Sequence, residues 1–556
     1  MASRLPVVPT IVLVSALESF AAVTFISERL LRNAFLWTLI RLIALNVLLY
    51  IIYLVEIWPR LLSPLRHLPR PKGALPLLGH GLAVFNRPPG RDFLRWVTEV
   101  PNDGIIHFRG FFNQDRLLVT NPKALAEILV THPYDFEKPA KGRSFLRRVL
   151  GDGLIIAEGD VHKFQRKNVM PVFSFRHLKE LYPMMWKKAV ALTQGMAAEI
   201  REQAGSISDA NDSENVSGAL EVNHWANKVT MDIIGIAAMG REFNALKNDD
   251  DELIKTYEEI LEPTTEKLIY FASQVAGPQT LVNRLPWKIN ERITATTNTL
   301  RRICMQLVQE KREAIKAAAE EHLDILSVLI KSDNFDDIQL VDQMLTFLAA
   351  GHETTSSAFT WTTYLLAKNP LWQTKLREEI QANIAHDRPP QSADELSSIL
   401  ESLPILNAVC NETLRLYPTV PITIRDAMTD TTLLDQQVPV GTQLILSPWA
   451  VNRNPHLWGE DADKFKPERW VSEDGKPNNN GGAESNYSLL TFLHGPRSCI
   501  GQNFAKTELR CLVATFTSVF EWEMADPNED VICTGVITTK PANGMHLRLN
   551  IIGSFQ

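Results

Sequence analysis

One ten-residue segment near the C-terminal end constrains this 556-residue chain more than any other; it reads FLHGPRSCIG. Its fixed positions are Phe492, Gly495, Arg497, Cys499 and Gly501. A cysteine thiolate can be the axial ligand of a haem iron, and glycines give a tight loop its backbone freedom and lack of bulk. The segment therefore predicts a loop whose cysteine, Cys499, is the axial ligand of a haem iron. Its phenylalanine packs on the macrocycle, and its arginine pairs with a haem propionate in the bidentate way that suits carboxylates.

The residues after the loop, QNFAKTELRCL, indicate a helix whose first N–H groups point towards Cys499 and keep its thiolate ionised. The alternative is a Gly/Pro loop with one buried structural cysteine. Five matched positions within ten residues favour the ligand. The other cysteines are few and widely spaced, so no disulfide or zinc framework is visible, as in a reducing compartment. They are Cys304, Cys410, Cys511 and Cys533.

Two apolar stretches open the chain, Leu5–Ser27 and Asn33–Val55, each 23 residues long. A helix needs about 20 residues to cross a bilayer, so the pair predicts a helical hairpin that anchors the chain in a membrane. A cleaved signal peptide or buried core helices are the alternatives, and a second apolar stretch argues against the first of these. Basic residues follow and place the bulk of the chain in the cytosol. They are Arg60, Arg66, Arg70 and Lys72.

Prolines stiffen the next segment, because they fix φ. They are Pro64, Pro69, Pro71 and Pro76. We place a domain boundary here, which the family resemblance described below also implies: a membrane anchor of one or two transmembrane helices (1–58), a proline-rich hinge (59–80) and a domain (81–556) that would bind haem and carry the catalysis. The net charge of −7 gives no indication of a nucleic-acid partner.

A long helix is predicted from Asp336 to the residue before Asn369, about 32 residues or roughly 48 Å. It contains the sequence AGHETT, which begins at Ala350. A glycine followed by hydroxyl residues can open the helix ladder and leave a groove over a cofactor. Glu353 and Thr354 then offer an acid and a hydroxyl for proton relay. A mid-helix glycine with ordinary back-bonding threonines is the alternative.

These motifs, together with an E-x-x-R sequence at Glu412 and a PERW sequence at Pro467, occur in the order found in the cytochrome P-450 family. The chain resembles that family from about Pro64 to its C-terminus, and it is similar to fungal microsomal members, many of which act in secondary metabolism. The resemblance implies a mainly α prism with small β-sheets, preceded by the transmembrane anchor. Protohaem (haem b) would lie between the long helix and the Cys499 loop.

The resemblance also assigns roles to individual residues. Oxygen activation goes to Thr354 and proton delivery to Glu353. The helix positions next to the cofactor are Ala350 and Gly351. The family's W-x-x-x-R element corresponds to His162 and Arg166, with histidine in place of the usual tryptophan. The remaining assignments are Arg425 to a propionate, Glu412, Arg415 and Arg469 to a structural ion cluster, and Phe347, Val420, Ile422, Ile424, Val536 and Ile537 to an apolar substrate pocket.

Family membership implies that O₂ is the co-substrate and that electrons come from NADPH through a separate cytochrome P-450 reductase, with cytochrome b5 as a second candidate donor. Between Lys138 and Lys188, 12 basic residues stand against four acidic ones. This run is either a solvated face or a reductase docking surface. The expected location is the endoplasmic reticulum membrane, in contact with lipid, with the catalytic domain facing the cytosol.

Three functions are compatible with the sequence. The first is a monooxygenase that hydroxylates or epoxidises a lipophilic small molecule. The second is a haem-thiolate enzyme that rearranges, desaturates or dehydrates its substrate without net oxygen insertion. The third is a non-catalytic haem-binding membrane protein. An intact Glu353 and Thr354 argue against rearrangement or dehydration without O₂, which has no need of proton delivery to dioxygen. The third function predicts no NADPH-dependent turnover even when a reductase is present.

Overall fold

The fold is mainly helical with small β-sheets, as predicted. The computed structural model describes residues 7–26, 33–205, 216–247, 251–261, 265–276, 282, 284, 287–317, 324–384, 392–535 and 537–555.

The α-helices of the N-terminal half are α1 (Val7–Ile26), α2 (Asn33–Ile52), α3 (Arg91–Glu99), α4 (Pro122–Ala126), α5 (Ala140–Leu150), α6 (Gly159–Val169), α7 (Phe175–Gly205), α8 (Val222–Ile234), α9 (Glu252–Leu261) and α10 (Thr265–Ala276). Those of the C-terminal half are α11 (Lys288–Lys316), α12 (Ile325–Ser332), α13 (Asp337–Lys368), α14 (Pro370–Asn383), α15 (Ala393–Ser402), α16 (Pro404–Leu416), α17 (Pro448–Val451), α18 (Pro455–Trp458) and α19 (Gln502–Val519).

The strands are β1 (Ile105–Arg109), β2 (Asp115–Val119), β3 (Phe136–Glu137), β4 (Ser217–Glu221), β5 (Thr423–Ala427), β6 (Thr431–Leu433), β7 (Gln436–Val438), β8 (Gln443–Leu446), β9 (Phe520–Met524), β10 (Cys533–Thr534), β11 (Lys540–Pro541) and β12 (His546–Ile551). Among the described residues they form a five-stranded sheet in the order β1-β2-β8-β5-β3, a three-stranded sheet in the order β4-β12-β9, and the pairs β6-β7 and β10-β11.

Helix α13 is the predicted long helix, and its 32 residues run through the main hydrophobic core. A capping box starts it: the Gln339 N–H donates to Asp336 Oδ1 at 2.7 Å, and Gln339 Oε1 accepts the Asp336 N–H at 3.0 Å. It ends before Asn369, since a proline follows and disfavours the helical conformation of the residue before it. Helices α8, α11 and α19 pack along α13, so its middle is held on several sides.

The first two helices lie against each other as the predicted hairpin. Asn46 of α2 joins them, because its Nδ2 donates to Ser15 Oγ at 3.0 Å and to Glu18 Oε2 at 2.7 Å. Within the described residues, one helix is long and apolar enough to cross a membrane, Phe35–Leu62, with 28 residues and a mean hydropathy of 2.2. The apolar part of α1 is shorter, Thr10–Ala22. Length and composition therefore favour the second predicted span.

The end of the apolar helix Phe35–Leu62 contacts the turn between β1 and β2. A π-helical segment, Tyr53–Leu62, continues α2, and Pro59 within it has no N–H to donate to the carbonyl of Val55 four residues earlier. Asn113, from the turn between β1 and β2, donates its Nδ2 to that carbonyl at 2.8 Å. The Asn113 side chain is 1% exposed, so this contact is sealed from solvent. This contact ties the C-terminal end of the apolar helix to the five-stranded sheet.

Candidate functional site

The loop before α19 is closed by a backbone hydrogen bond in which the Cys499 N–H donates to the carbonyl of Phe492 at 2.8 Å. Gly495 has φ +74°, and a Cβ there would lie 2.0 Å from the backbone oxygen of Leu129. A side chain at this position would therefore be both strained and in collision. This glycine has the conformational role that the sequence predicts.

Gly501 does not need the backbone freedom that was predicted for it, so only its predicted lack of bulk remains. Its φ is −87°, which any residue adopts, so backbone freedom is not what the position requires. A Cβ there would lie 4.0 Å from Cys499 Sγ and 3.8 Å from the ring of Phe173. Glycine keeps the space next to the thiol open. Its own backbone N–H donates towards the thiol.

The thiol of Cys499 faces an enclosed space. Burial raises its pKa, while the Gly501 N–H and the Arg166 guanidinium oppose that shift. The Cys499 residue is nevertheless exposed, whereas the other four cysteines are buried. Surrounded by protein yet not covered, this sulfur is placed to bind a group that enters the interior.

A cluster of cations surrounds this space, and we call Lys138, Arg166, Arg425 and Arg497 the cationic cluster. Arg166 of α6 donates to the carbonyl of Ser498 at 2.6 Å, next to the thiol. Arg425 of β5 is 3% exposed and makes no ion pair with any described residue. Burial, together with the nearby Arg497, lowers the pKa of Arg425 to about 10.

One carboxylate, Glu158, lies among these cations. Arg497 forms an ion pair with it, and Lys138 Nζ lies 3.4 Å from its Oε1. Arg497 also donates to the carbonyls of Pro133 and Phe136. Sequence reasoning missed both Lys138 and Glu158 as site residues. The basic run around Lys138 was the only signal, and it was interpreted as surface.

His162 lies one helical turn from Arg166 on α6 and is 2% exposed. Its Nδ1 is 3.2 Å from the hydroxyl of Tyr134, a residue that the sequence did not single out. Burial, with Lys138 and Arg497 nearby, lowers the pKa of His162 to about 4. The imidazole is therefore neutral at neutral pH.

The AGHETT segment lies in the middle of α13. The Thr354 hydroxyl donates to the carbonyl of Ala350 at 2.7 Å. The helix is unbroken there, so the prediction that Gly351 opens its ladder is wrong. A Cβ on Gly351 would lie 2.5 Å from Ile234, which shows that this glycine permits close packing of α13 on α8. Ala350 is exposed and Glu353 and Thr354 are partly exposed, in contrast to the buried residues after them.

Glu412 and Arg415 of α16 form a bidentate pair with distances of 2.7 and 2.8 Å, and both side chains are fully buried. Arg469 joins at 3.1 Å from its Nε to Glu412 Oε1. The Trp470 indole donates to Glu412 Oε2 at 2.8 Å. The structure thus brings together the three residues of the predicted ion cluster and adds a tryptophan.

Comparison with known proteins gives the same assignment as the motifs. The family model described as "Cytochrome P450" matches residues 69–548. The chain belongs to the cytochrome P450 family. It is 41% identical over 510 residues to the cytochrome P450 monooxygenase sphH of Aspergillus fumigatus, with 90% of this chain and 91% of that protein covered. It is 38% identical to ptmK of Penicillium ochrochloron (89% and 96% covered) and 36% identical to FUM15 of Gibberella moniliformis (91% and 91% covered), both also named cytochrome P450 monooxygenases.

The residues of this cytochrome P450 fit a haem group on two observations. The Cys499 thiol is enclosed but uncovered, as an axial ligand must be. The cationic cluster holds four positive side chains against the single carboxylate of Glu158, so it can accept the two carboxylates of a haem. The described residues contain no cluster of three or more His, Cys, Asp or Glu that would hold another metal.

The predicted substrate-pocket residues of the cytochrome P450 are less uniformly placed. Phe347 is buried and packs edge-on against Phe173 with ring centroids 5.8 Å apart. Ile422 and Ile424 are partly buried against a cluster that joins Phe93 and Trp96 of α3 to Phe108 of β1.

Ile424 precedes Arg425 on β5, so the two side chains point to opposite faces of the strand. Val420 is partly buried, and Ile537 is 52% exposed. Val536 lies outside the described residues.

Proposed function

We propose that this protein is a membrane-anchored haem-thiolate monooxygenase that hydroxylates or epoxidises a lipophilic small molecule, with electrons from a separate NADPH-dependent reductase. Family membership already makes it a cytochrome P450 monooxygenase. The observation that carries the finer proposal is the Cys499 thiol, which faces an enclosed and accessible space beside the cationic cluster.

The bound haem would supply O₂ activation, promoted by electron density from the cysteine thiolate. The chain supplies the rest. Cys499 is the ligand, and the Gly501 N–H and Arg166 stabilise its ionised form. Arg425, Arg497 and Lys138 provide positive charge for the haem carboxylates, and His162 provides an N–H. Phe492, partly buried against the main core, covers the macrocycle.

On α13, Glu353 would deliver protons to the reacting centre, and Thr354 would take part in oxygen activation. The Thr354 hydroxyl already donates its hydrogen to the carbonyl of Ala350, so its oxygen remains available to accept a hydrogen bond. Glu353, one residue earlier in the helix, is partly exposed, and its carboxyl group is the acid that would supply the protons. Glu412, Arg415 and Arg469 act structurally, since Glu412 pairs with both arginines and Asp461, also paired with Arg469, supplies the second negative charge.

We further propose a division into anchor (1–58), hinge (59–80) and catalytic domain (81–556), with residence in the endoplasmic reticulum membrane and the catalytic domain in the cytosol. The apolar helix Phe35–Leu62 and the arginines that follow it support this arrangement.

A smaller basic surface than the sequence indicated would dock the reductase, or cytochrome b5. Of the 12 basic residues between Lys138 and Lys188, six pair with carboxylates. Lys167, Arg176 and Lys187 are exposed and make no ion pair with the described residues.

The substrate class follows from the apolar character of the predicted pocket and from the membrane anchor, which favour a lipophilic molecule that enters from the lipid. Similarity to monooxygenases of Aspergillus, Penicillium and Gibberella supports a role in fungal secondary metabolism.

The test is metabolite profiling of the host with and without this gene, under isotopically heavy dioxygen. We expect a product with one heavy oxygen to disappear in the deletion strain while its precursor accumulates. A changed skeleton without heavy oxygen would instead establish rearrangement, desaturation or dehydration. No metabolic change, together with no NADPH-dependent turnover when reductase is added, would leave a non-catalytic haem protein.

A further inference from the structure

The pair formed by His162 and Tyr134 has a chemical consequence that the family motif does not contain. In the usual W-x-x-x-R element, the tryptophan carries one N–H, always on the same nitrogen. A neutral histidine can carry its hydrogen on either ring nitrogen, and the choice is set by the hydrogen bond that the other nitrogen makes. His162 is buried, and burial beside Lys138 and Arg497 keeps it neutral. Something must therefore fix its tautomer.

The structure offers one partner for this purpose. The Tyr134 hydroxyl lies 3.2 Å from Nδ1. Within the described parts of the chain, the second nitrogen, Nε2, makes no hydrogen bond, and it is not sealed by protein atoms. Among the charged groups nearby, Lys138, Arg497 and Arg166 disfavour the positive form of His162, and Glu158 favours it. The open nitrogen thus lies among cations, where an anion is stabilised.

The ring of Tyr134 is fixed independently of its hydroxyl. Lys163 Nζ lies over the ring at 4.7 Å from its centroid, and the Arg497 guanidinium lies over it at 4.8 Å. Cations over an aromatic face are attracted by its quadrupole. The hydroxyl is therefore held at the histidine by a ring that would stay in place without it.

We propose that Tyr134 is a positioning residue that donates its O–H to His162 Nδ1, so that the histidine hydrogen resides on Nε2 and is donated to a haem carboxylate. This inference rests on the proposed haem site. It explains how a histidine replaces tryptophan in this chain: tyrosine and histidine together supply the single fixed N–H that an indole supplies alone.

The test uses the full-length haem-loaded protein and measures the rate at which haem is lost to an excess of apomyoglobin. In Tyr134→Phe, which keeps the ring and its cation contacts, we expect haem loss to accelerate about three- to tenfold, the effect of one net hydrogen bond. Resonance Raman spectra should show a shifted propionate bending mode in this variant. Tyr182→Phe is the matched control. It removes another tyrosine hydroxyl bond, to Glu401 at 2.8 Å, and should leave the rate of haem loss unchanged.

The decisive comparison repeats Tyr134→Phe in the His162→Trp background. An indole needs no partner to place its N–H, so we expect the second substitution to have no effect on haem loss there. Equal acceleration in both backgrounds would show that Tyr134 acts on haem by another route, and no acceleration in the wild-type background would also overturn the proposal. If His162→Trp takes up no haem, His162→Lys serves the same purpose, because its ammonium group always carries hydrogen and has no acceptor to which the Tyr134 hydroxyl could donate.

The ferrous–carbonyl spectrum separates this inference from the proposed function. A thiolate-type red-shifted Soret band in Tyr134→Phe, with faster haem loss, supports both. The same band without faster haem loss rejects the role of Tyr134 alone. Absence of the band in the wild-type protein rejects the haem-thiolate site itself.

Discussion

Two buried ionic clusters of this protein differ in how their charges balance. Around Glu412, each carboxylate oxygen accepts several hydrogen bonds, from Arg415, Arg469, Trp470 and the backbone N–H of Lys466. The rest of the Arg415 guanidinium donates to three backbone carbonyls, at 2.6, 2.7 and 3.0 Å. Nothing is left for an outside partner, so this cluster serves the fold.

The cationic cluster is different, because among the described residues only two of its four cations, Lys138 and Arg497, pair with a carboxylate, and it is the same one, Glu158. Burial makes such an excess unfavourable: it lowers the pKa of Arg425 to about 10 and that of Lys138 to about 8. A protein that keeps uncompensated buried charge needs a compensating anion from elsewhere. The contrast distinguishes a structural cluster from a ligand site without reference to any motif.

The largest expected effect is the loss of haem-thiolate ligation when Cys499, beside the cationic cluster, is replaced. Cys499→Ala should abolish turnover and remove the red-shifted Soret band of the ferrous–carbonyl form, because alanine cannot be an axial ligand. Carbonyl difference spectroscopy measures this directly. Persistence of the band would show that another residue holds the iron. Cys533→Ala, at a buried cysteine remote from the loop, is the control and should keep the band.

Next in size is the loss of one partner from the balanced cluster. Arg415→Met leaves Glu412 buried without its bidentate partner and should reduce the free energy of unfolding by about 3–5 kcal/mol. Denaturant unfolding followed by circular dichroism measures the change. Arg95→Met is the control: it removes an arginine that is 54% exposed in its ion pair with Asp92, and it should cost at most about 1 kcal/mol. Equal costs would contradict the structural role of the Glu412 cluster.

Removing an arginine from the cationic cluster should not lower the free energy of unfolding, in contrast to Arg415→Met. Arg425→Met removes a buried cation that has no ion pair among the described residues, so the stability of the haem-free protein should be unchanged or higher. Haem affinity should fall about tenfold to a hundredfold, the contribution of a hydrogen bond to a charged group. Haem titration of the two proteins, beside their unfolding curves, tests both halves of this prediction. Lower stability with unchanged haem affinity would make Arg425 another structural residue.

The smallest effect is a dependence on pH. Burial first, and then Arg425 and Arg497, lower the pKa of Lys138 to about 8, and a bound haem carboxylate should raise it again. Above about pH 8 the haem-free protein has lost this proton, so haem binding must take one up, and affinity should fall by at most about tenfold per pH unit. Below that pH the effect is absent.

Haem affinity measured between about pH 7 and pH 9.5 tests this linkage. In Lys138→Met, the fall of haem affinity above about pH 8 should vanish. Any contribution from the Cys499 thiol should persist, and it has the opposite sign, because loss of the thiol proton favours haem binding. The difference between the two proteins isolates Lys138. Identical pH profiles would place this lysine outside the reach of the haem carboxylates.

Local sequence predicted those parts of the site whose residues are close together in the chain. The Cys499 loop is ten residues long, Glu412 and Arg415 are one helical turn apart, and the bounds of α13 follow from its cap and a proline. In each case the chemistry and the spacing are visible without the fold.

The rest depended on tertiary contacts. Tyr134 meets His162 from 28 residues away, and Glu158 receives an arginine from the far end of the chain. Neither residue type is diagnostic alone. Gly351 illustrates the converse case: its motif is recognisable, but only the position of Ile234 shows what the missing side chain is for. A motif identifies a residue, and packing determines its task.

The contact between Asn113 and the anchor matters for anyone who prepares this protein without its membrane segment. A truncation that begins at residue 59 removes the Val55 carbonyl and the Glu56 carboxylate, the two acceptors of the Asn113 amide at 2.8 and 3.3 Å. It would also uncover the turn between β1 and β2, where Phe112 is already 56% exposed. We expect a shortened protein that starts upstream of Val55 to be more soluble than one that starts at residue 59, because it keeps both acceptors of Asn113. Asn113→Asp in the full-length protein is the reference, since it breaks the same contact without removing any of the chain.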